Sequence, residues 1–122
     1  MTNDIVSGML GTTVDVFVKR MGALPTVGNV AHLPYNTDSF DLALSINVFH
    51  NLYVSDLFTA TCEVERVARS KYVVVDSYRN EHERANLMYW QLTCECFYTP
   101  SEWEWILGRF GYRGDYSCVY YQ

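Results

Sequence analysis

Few side chains in this sequence have both the type and the spacing that chemistry requires. His50 follows closely after an apolar run, residues 42–46. A histidine at such a place can act as a general base towards an oxygen or nitrogen acceptor. A role in packing, or at the start of a helix, is the alternative. His50 is therefore the candidate catalytic residue, with the packing role left open.

The four cysteines do not have the spacing of a metal site. Cys94 and Cys96 are separated by one residue, whereas structural zinc sites space paired cysteines by two to four residues and need a second pair. Two disulfides could form by number, but nothing else in the sequence indicates export. We therefore expect no metal, and we expect Cys62, Cys94, Cys96 and Cys118 to be free thiols that pack as small hydrophobic side chains.

Aromatic and basic side chains around residues 78–90 are candidates for binding a substrate. Tyr78, Tyr89 and Trp90 offer rings, and the guanidinium of Arg79 suits a carboxylate. Aromatic residues at helical spacing more often belong to a hydrophobic core. The core interpretation therefore stays open beside the pocket.

Two apolar runs predict the central strands that would position these residues. Residues 41–47 form a nearly continuous apolar run that ends in a polar residue, and residues 71–76 repeat it with β-branched side chains. Strands buried on both faces of a parallel sheet have this pattern. Between them, Ser55 is the expected N-cap of a helix with apolar residues at helical spacing. Strand, helix and strand would form a right-handed crossover.

Two further helices and a last strand are predicted after the second central strand. Asn80 with Glu83 resembles a capping box, and residues 99–102 combine a threonine cap, a proline and a glutamate. Residues 115–121 predict the strand. The first helix is expected to present Leu87, Met88, Tyr89, Leu92 and Cys96. The second is expected to bury Trp103, Ile106, Leu107 and Phe110, to leave Trp105 at an edge or an interface, and to end at Gly111.

Length, composition and charge limit the classes of protein that this chain can represent. It has 122 residues, 49% of them hydrophobic, which suffices for the core of one domain. The net charge is −5 and no basic stripe is present, so nucleic acid is not an expected partner. No apolar run approaches the roughly 20 residues that cross a membrane. We expect a single-domain, soluble, cytoplasmic protein.

From residue 26 onward the sequence resembles the class I, S-adenosylmethionine-dependent methyltransferases. The matching segments are residues 27–35 (VGNVAHLPY), 38–42 (DSFDL), 45–52 (SINVFHNL) and 63–67 (EVERV), in the family's order and spacing. They correspond to a Gly-Asp-Ala-like turn, a Ser-Phe-Asp step, a Leu-His-His-like segment and a Glu-x-x-Arg-Val helix. The resemblance implies a Rossmann-like α/β sheet with flanking helices, and S-adenosylmethionine as the cofactor.

The resemblance also implies places for the cofactor and for a small-molecule acceptor. Asn29 stands where the family usually holds an Asp that accepts a hydrogen bond from the adenine amino group, and the backbone N–H of Val30 would meet a ring nitrogen. Asn47 would lie under the methyl-donor pocket. For Asn29, stabilising a turn is an equally weighted alternative to binding adenine. For Asn47, ending the strand is an equally weighted alternative to lying under the methyl-donor pocket. Residues 76–80 would face the acceptor.

The first 25 residues depart from the family pattern. A family member begins with a strand and a Gly-x-Gly-x-Gly turn, whereas this sequence contains no Gly-x-Gly, and Gly8 and Gly11 have the wrong spacing. Residues 12–18 predict one strand, and residues 26–30 a further short one. Such a truncated Rossmann-like sheet would leave the edge of residues 42–46 without a partner. Either residues 12–18 fold back into this vacancy or a second molecule pairs there, and a homodimer is the favoured expectation.

Two functions of different class fit these observations. The first is an S-adenosylmethionine-dependent methyltransferase that acts on an unknown small-molecule acceptor and is incomplete as an isolated chain. The second is a non-catalytic methyltransferase relic that serves as a binding or oligomerisation module. The missing glycine-rich loop favours the second for the isolated polypeptide, while the family assignment stays with methyltransferases.

Overall fold

A computed structural model describes residues 28–122 of the chain. The predicted strand over residues 12–18 lies outside this part. Within it the elements are β1 (Phe40–Ile46), a short 3-10 helix (Phe49–Asn51), α1 (Val54–Val67), β2 (Ala68–Ser77), α2 (Glu81–Trp90), α3 (Pro100–Arg109) and β3 (Asp115–Tyr120). None of the helices in this part is long and apolar enough to cross a membrane.

The three strands form one parallel sheet in the order β1, β2, β3. Ile46 of β1 lies opposite Val74 of β2, and Ser77 of β2 lies opposite Tyr120 of β3. Parallel neighbours cannot be joined by a tight hairpin, so helical crossovers connect them. α1 joins β1 to β2, while α2 and α3 lie between β2 and β3. The expected α/β fold, a parallel sheet with flanking helices, is confirmed.

The hydrophobic core lies between one face of the sheet and the helices α1 and α3. Trp103 is fully buried in it, as expected, whereas Trp105 is exposed. Val30 and Leu33, from the segment before β1, pack into the same core. The other core residues of these elements are Ala43, Val73 and Val75 of the strands, Leu57, Ala60, Val64 and Val67 of α1, and Ile106 and Leu107 of α3. The segment before β1 is thereby fixed against the same face as the helices.

The start and the end of α3 follow the sequence prediction. Thr99 Oγ1 accepts a hydrogen bond from the Glu102 N–H at 3.3 Å, and the Thr99 N–H donates to Glu102 Oε1 at 2.8 Å, with Pro100 in the first turn. The last helical residue is Arg109, and Gly111 then adopts a φ of 82°. Glycine is favoured at such a left-handed position because it has no Cβ.

The predicted start of α1 is wrong, and that of α2 is right in part. α1 begins at Val54, with Tyr53 as an N-cap that makes no side-chain hydrogen bond, so Ser55 lies inside the first turn. This end of the helix is exposed, and water can satisfy its free N–H groups. At α2, Asn80 Oδ1 accepts from the Glu83 N–H at 2.9 Å. The Glu83 side chain does not complete the capping box.

Three further local predictions are corrected. Cys62 is exposed rather than buried, because it lies on the outer face of α1. α2 ends at Trp90, so Leu92 and Cys96 lie beyond the helix. Residues 28–30 form no strand: the Asn29 carbonyl accepts from the His32 N–H at 2.9 Å, which closes a turn. β-branched residues favour strands only where a neighbouring strand is available.

Candidate functional site

The carboxyl ends of β1 and β2 lie side by side and define the candidate site. Just after β1, the Asn47 N–H donates to the carbonyl oxygen of Val74 at 3.0 Å. Asn47 is exposed and has a φ of 59°, a left-handed conformation that asparagine tolerates better than most residues. Asn47 therefore ends the strand, which is one of the two roles expected for it from the sequence. In open parallel sheets, ligands bind outside such strand ends.

Asn51 holds the loop after β1 against the segment that follows α2. Its Nδ2 donates to the carbonyl oxygen of Asn47 at 3.1 Å, and its Oδ1 accepts from Thr93 Oγ1 at 3.2 Å. The backbone N–H groups of Glu95 and Cys96 donate to the carbonyl of His50 at 2.8 and 2.9 Å. One rim of the candidate site is therefore built from two segments that are distant in sequence.

His50 is enclosed and does not reach the open edge of the sheet. Its ring is fully buried, and Nδ1 accepts a hydrogen bond from the backbone N–H of Asp76 at 3.0 Å. The ring hydrogen is therefore on Nε2, which lies 3.2 Å from Asp76 Oδ2. A general base must come within hydrogen-bonding distance of its substrate. This geometry favours the packing alternative, and a catalytic role for His50 stays a prediction.

Asp76 connects His50 with three other parts of the molecule. Asp76 Oδ2 accepts from the Tyr121 hydroxyl at 3.4 Å, and that hydroxyl accepts from Gln91 Nε2 at 2.7 Å. The indole N–H of Trp103 donates to the Asp76 carbonyl at 3.3 Å. Asp76 belongs to residues 76–80, which were expected to face the acceptor, but no role of its own was predicted for it. The signal in the sequence is an acid at the end of an apolar run, because buried acids are rare unless paired.

Asn29 forms a turn and keeps its side chain accessible. Its Oδ1 accepts from the Ala31 N–H at 2.9 Å, which is the turn-stabilising interpretation left open by the sequence. Asn29 is exposed, whereas Val30 is completely buried. An amide oxygen has two lone pairs, so Oδ1 of Asn29 retains capacity for a second donor. The turn and a ligand contact are therefore compatible at this residue.

A clamp formed by Glu63 and Arg66 of α1 fixes the segment after Asn29. Arg66 Nη1 donates to the Tyr35 carbonyl at 2.8 Å and Nη2 to the Leu33 carbonyl at 3.2 Å. Glu63 Oε2 accepts from Arg66 Nη2 at 2.5 Å and from the Leu33 N–H at 3.4 Å. The hydrogen bonds from Arg66 hold the pKa of Glu63 below its usual value. The Glu-x-x-Arg spacing was visible in the sequence, but it served there only to recognise the family.

Arg79 is paired within the protein. Its Nη2 donates to Glu83 Oε2 at 2.6 Å and its Nε to Oε1 at 3.1 Å. The guanidinium carbon lies 3.9 Å from the centre of the Tyr120 ring. The hydrogen bonds from Arg79 lower the pKa of Glu83. A carboxylate on an acceptor would therefore have to compete with Glu83 for this guanidinium.

The four residues predicted to bind an acceptor do not form one pocket. Tyr78 and Arg79 precede α2, whereas Tyr89 and Trp90 end it, about 15 Å farther along at the helical rise per residue. The Tyr89 and Trp90 rings pack edge to face at 5.0 Å and are 73% and 65% exposed. They border an open depression that includes Leu92. The aromatic pair is therefore a surface feature and not part of the core.

A cavity of about 380 Å³ lies closer to the end of β1. Asn51, Tyr53, Leu92 and Glu95 are among its lining residues. Leu92 also borders the depression beside Tyr89, so the two hollows share one wall. This cavity was not predicted from the sequence, because the segment after α2 was expected to be helical.

All four cysteines are free, as expected, and Cys94 and Cys96 are buried. Burial raises the pKa of the Cys94 thiol to about 12, and it also raises that of Cys96. Such thiols are poor nucleophiles and poor metal ligands near neutral pH. Within residues 28–122, no group of three or more His, Cys, Asp or Glu side chains has the arrangement of a metal site.

Residues 3–75 match the family model described as the methyltransferase domain. The match covers more than half of the chain. This chain belongs to the methyltransferase domain family. The match also includes most of residues 1–25, which depart from the family's glycine-rich pattern. No curated protein matches the sequence significantly.

Solved structures of methyltransferases are similar to this methyltransferase-domain chain in fold. A protein from Thermotoga maritima, described as an S-adenosylmethionine-dependent methyltransferase and possible histamine N-methyltransferase, has a TM-score of 0.53 at 22% identity, over 74% of this chain and 46% of that one. A Bacillus halodurans protein described as a methyltransferase has a TM-score of 0.56 at 14% identity, over 72% of this chain and 45% of that one. A chain in a structure described as a complex of a Haloferax volcanii methyltransferase with the activator Trm112 has a TM-score of 0.59 at 20% identity, over 77% of this chain and 42% of that one. This chain spans less than half the length of these structures.

Proposed function

We propose that this chain binds S-adenosylmethionine beside the carboxyl ends of β1 and β2 and contributes to methyl transfer to a small-molecule acceptor. The observation that carries the proposal is the exposed, left-handed Asn47 next to the end of β2. In open parallel sheets this edge is where ligands bind. When bound, the cofactor supplies the methyl group that is transferred.

Three residues are proposed to contact the cofactor. Asn29 accepts from the adenine amino group through the free lone pair of Oδ1. The backbone N–H of Val30 is proposed to meet an adenine nitrogen, which requires the buried Val30 to become accessible when the ligand binds. Asn47 lies below the methyl-donor end. The Glu63–Arg66 clamp supports this arrangement, because its hydrogen bonds fix the segment that follows Asn29.

The acceptor is proposed to enter the cavity beside Asn51 and to extend towards Tyr89 and Trp90. The shared Leu92 joins that cavity to the exposed aromatic pair. Tyr78 and Arg79 lie at the opposite end of α2, so they are proposed to contact a different part of the acceptor, with Arg79 exchanging its bond to Glu83 for the ligand. Alignment of acceptor and methyl group supplies most of the catalysis in such a reaction. An accessible general base is therefore not required, which agrees with the burial of His50.

Binding of the cofactor by the isolated chain is proposed to be weak. The sequence contains no Gly-x-Gly, and the backbone donors of such a turn are contacts that Asn29 and Asn47 cannot replace.

The free thiols suit a reducing compartment such as the cytoplasm.

Calorimetric titration with S-adenosylhomocysteine tests the proposal. We expect a dissociation constant weaker than about 10 μM, or about −7 kcal/mol. Asn29→Asp should tighten binding, because a carboxylate accepts from the adenine amino group and keeps the turn, whereas Asn29→Ala should weaken it. Asn36→Ala, at another exposed asparagine, is the control and should change nothing. No heat at millimolar ligand, or equal affinities for all variants, would contradict the proposed site.

A second function, an oligomerisation module, is favoured by one observation. Among residues 28–122, β1 pairs only with β2 and its other edge has no strand. Ala43 and Ser45 of β1 are buried, and an unpaired strand edge invites pairing with another strand. We propose that two copies pair at this edge to form a homodimer. Light scattering over a dilution series should give about twice 14.1 kDa at micromolar concentration. A constant mass of one chain would exclude the dimer.

A further inference from the structure

Two carboxylates border the cavity that is proposed to receive the acceptor. Asp56 lies in the first turn of α1 and Glu95 in the segment after α2, and both line the cavity of about 380 Å³. Sites for small molecules have volumes of about 300–1,000 Å³. Among the described residues that line this cavity, none is a lysine or an arginine. A ligand there would therefore meet negative charge from two separate segments of the chain.

The basic side chains of the described part are engaged elsewhere. Of the seven lysines and arginines in residues 28–122, six form ion pairs at 3.9 Å or less with other carboxylates, and Arg109 lies over the Trp105 ring. Within the same residues, neither Asp56 nor Glu95 forms an ion pair. The charge of both carboxylates is therefore available to a cationic ligand.

The N-terminus of α1 offsets only part of this negative charge. A helix N-terminus carries about +0.5 elementary charge, so two carboxylates beside it leave about −1.5. The Cys94 thiol, next to Glu95, experiences charge of the same sign. Burial raises the pKa of this thiol to about 12, and the charges of Asp76 and Glu95 add to the effect. The cavity therefore disfavours an anionic acceptor.

The cavity also offers apolar and aromatic surface. Leu92 is 85% exposed and Tyr53 is 65% exposed. Exposed apolar side chains at a cavity are suited to contact an apolar ligand, and the face of a tyrosine ring attracts a cation. Asn51, which also lines the cavity, donates to the carbonyl oxygen of Asn47 at 3.1 Å. The cavity therefore adjoins the residue that is proposed to lie below the methyl-donor end of the cofactor.

We propose that the acceptor carries a cationic amino group on an apolar or aromatic body, and that Asp56 and Glu95 bind this group. The assignment rests on the proposed function, because it concerns the acceptor cavity of that function. It adds the charge of the acceptor, which the fold does not specify. The amino group is the group that the cavity recognises, and its nitrogen need not be the atom that receives the methyl group.

Titration with three ligands of similar shape and different charge tests the proposal. 2-Phenylethylamine is a cation at pH 7.5, 2-phenylethanol is its neutral counterpart and 3-phenylpropionate is its anionic counterpart. Added to the ¹⁵N-labelled full chain without cofactor, the amine should cause saturable shifts of the Asn51 and Glu95 amides. We expect it to bind roughly fivefold more tightly than the alcohol, and the anion to cause no saturable shift. Equal affinities, tighter binding of the alcohol or the anion, or no shift with the amine at tens of millimolar would overturn the proposal.

Neutral variants test whether these two carboxylates, and not the general charge of the chain, bind the amine. Asp56→Asn and Glu95→Gln keep the size of the side chain, and each should weaken amine binding roughly threefold to fivefold, as for one exposed ion pair. The affinity for the alcohol should not change. Glu104→Gln, at an exposed acid of α3, is the matched control and should leave both affinities unchanged. An equal loss in the control would overturn the proposal.

Two further measurements on the unmodified chain complete the test. Sodium chloride at about 0.5 M should weaken binding of the amine and not of the alcohol, because salt screens exposed charges; equal effects would overturn the proposal. S-adenosylhomocysteine is titrated separately. Amine binding without S-adenosylhomocysteine binding would support the cation site and contradict the cofactor site. S-adenosylhomocysteine binding without amine binding would overturn the cation site alone.

Discussion

Replacing Arg66 by alanine tests whether the Glu63–Arg66 clamp fixes the segment before β1. The substitution removes two hydrogen bonds to backbone carbonyls, at 2.8 Å to Tyr35 and 3.2 Å to Leu33, together with the ion pair to Glu63. Hydrogen bonds to a charged group contribute about 1.5–3 kcal/mol each when buried. The Arg66 side chain is 34% exposed, and the carbonyls can recover water. We therefore expect a loss of about 2–3 kcal/mol.

Reversible urea unfolding measures this loss against a control from the same protein. Arg69→Ala removes an ion pair to Asp41 whose side chains are 65% and 73% exposed, and such pairs contribute about 0–1 kcal/mol. Arg66→Lys keeps the charge but cannot reach both carbonyls and the carboxylate, so it should recover less than half of the loss. A loss for Arg66→Ala no larger than that for Arg69→Ala would refute the clamp.

The same clamp predicts a pH dependence with a definite sign. The pKa of Glu63 is lower in the folded chain than in the unfolded one, where it lies near 4.3. As the pH falls, the unfolded state therefore takes up the proton first. The stability from Glu63 is fully present above pH 4.3 and is lost as the pH falls through the lower, folded value. The difference in unfolding free energy between the wild type and Glu63→Gln should accordingly shrink below about pH 4. A difference that stays constant down to pH 2 would contradict the assignment.

The remaining predictions concern the helix cap and the thiols. Thr99→Ala should lower the unfolding free energy by about 0.5–2 kcal/mol, whereas Ser101→Ala, at an exposed position inside α3, should change it little; equal losses would contradict the capping box. Exposed Cys62 should react with a maleimide at pH 7.5 well before buried Cys94, whose pKa is about 12. Mass spectrometry of labelled peptides measures the order, and simultaneous labelling would mean that the core around Cys94 opens readily.

The sequence predicted the elements of the fold where local patterns and packing agree. The apolar runs identified β1 and the middle of β2, and the cap at Thr99 located α3. The start of β2 was missed because Arg69 and Ser70 are exposed and interrupt the apolar pattern. The cap at Ser55 was wrong because the buried stripe of α1 determines where that helix lies, and an exposed helix end does not require a cap.

The candidate site was predictable only as far as each residue acts locally. Asn47 at the end of β1 and the turn at Asn29 follow from short-range rules, and both lie where the sequence indicated. The pairing of Arg79 with Glu83, four residues later, is local but was not predicted. The pairing of His50 with Asp76, 26 residues later, depends on tertiary packing. No periodicity in the sequence specifies which buried polar atoms will meet.

The most direct test of the proposed function is the chemical-shift map of the ¹⁵N-labelled full chain during titration with S-adenosylhomocysteine. We predict saturable shifts of the backbone amides of Asn29, Val30 and Asn47, with a dissociation constant weaker than about 10 μM. The exposed Trp105 amide on α3 should stay unchanged. The absence of shifts at millimolar ligand, or shifts confined to residues away from the carboxyl ends of β1 and β2, would contradict the account.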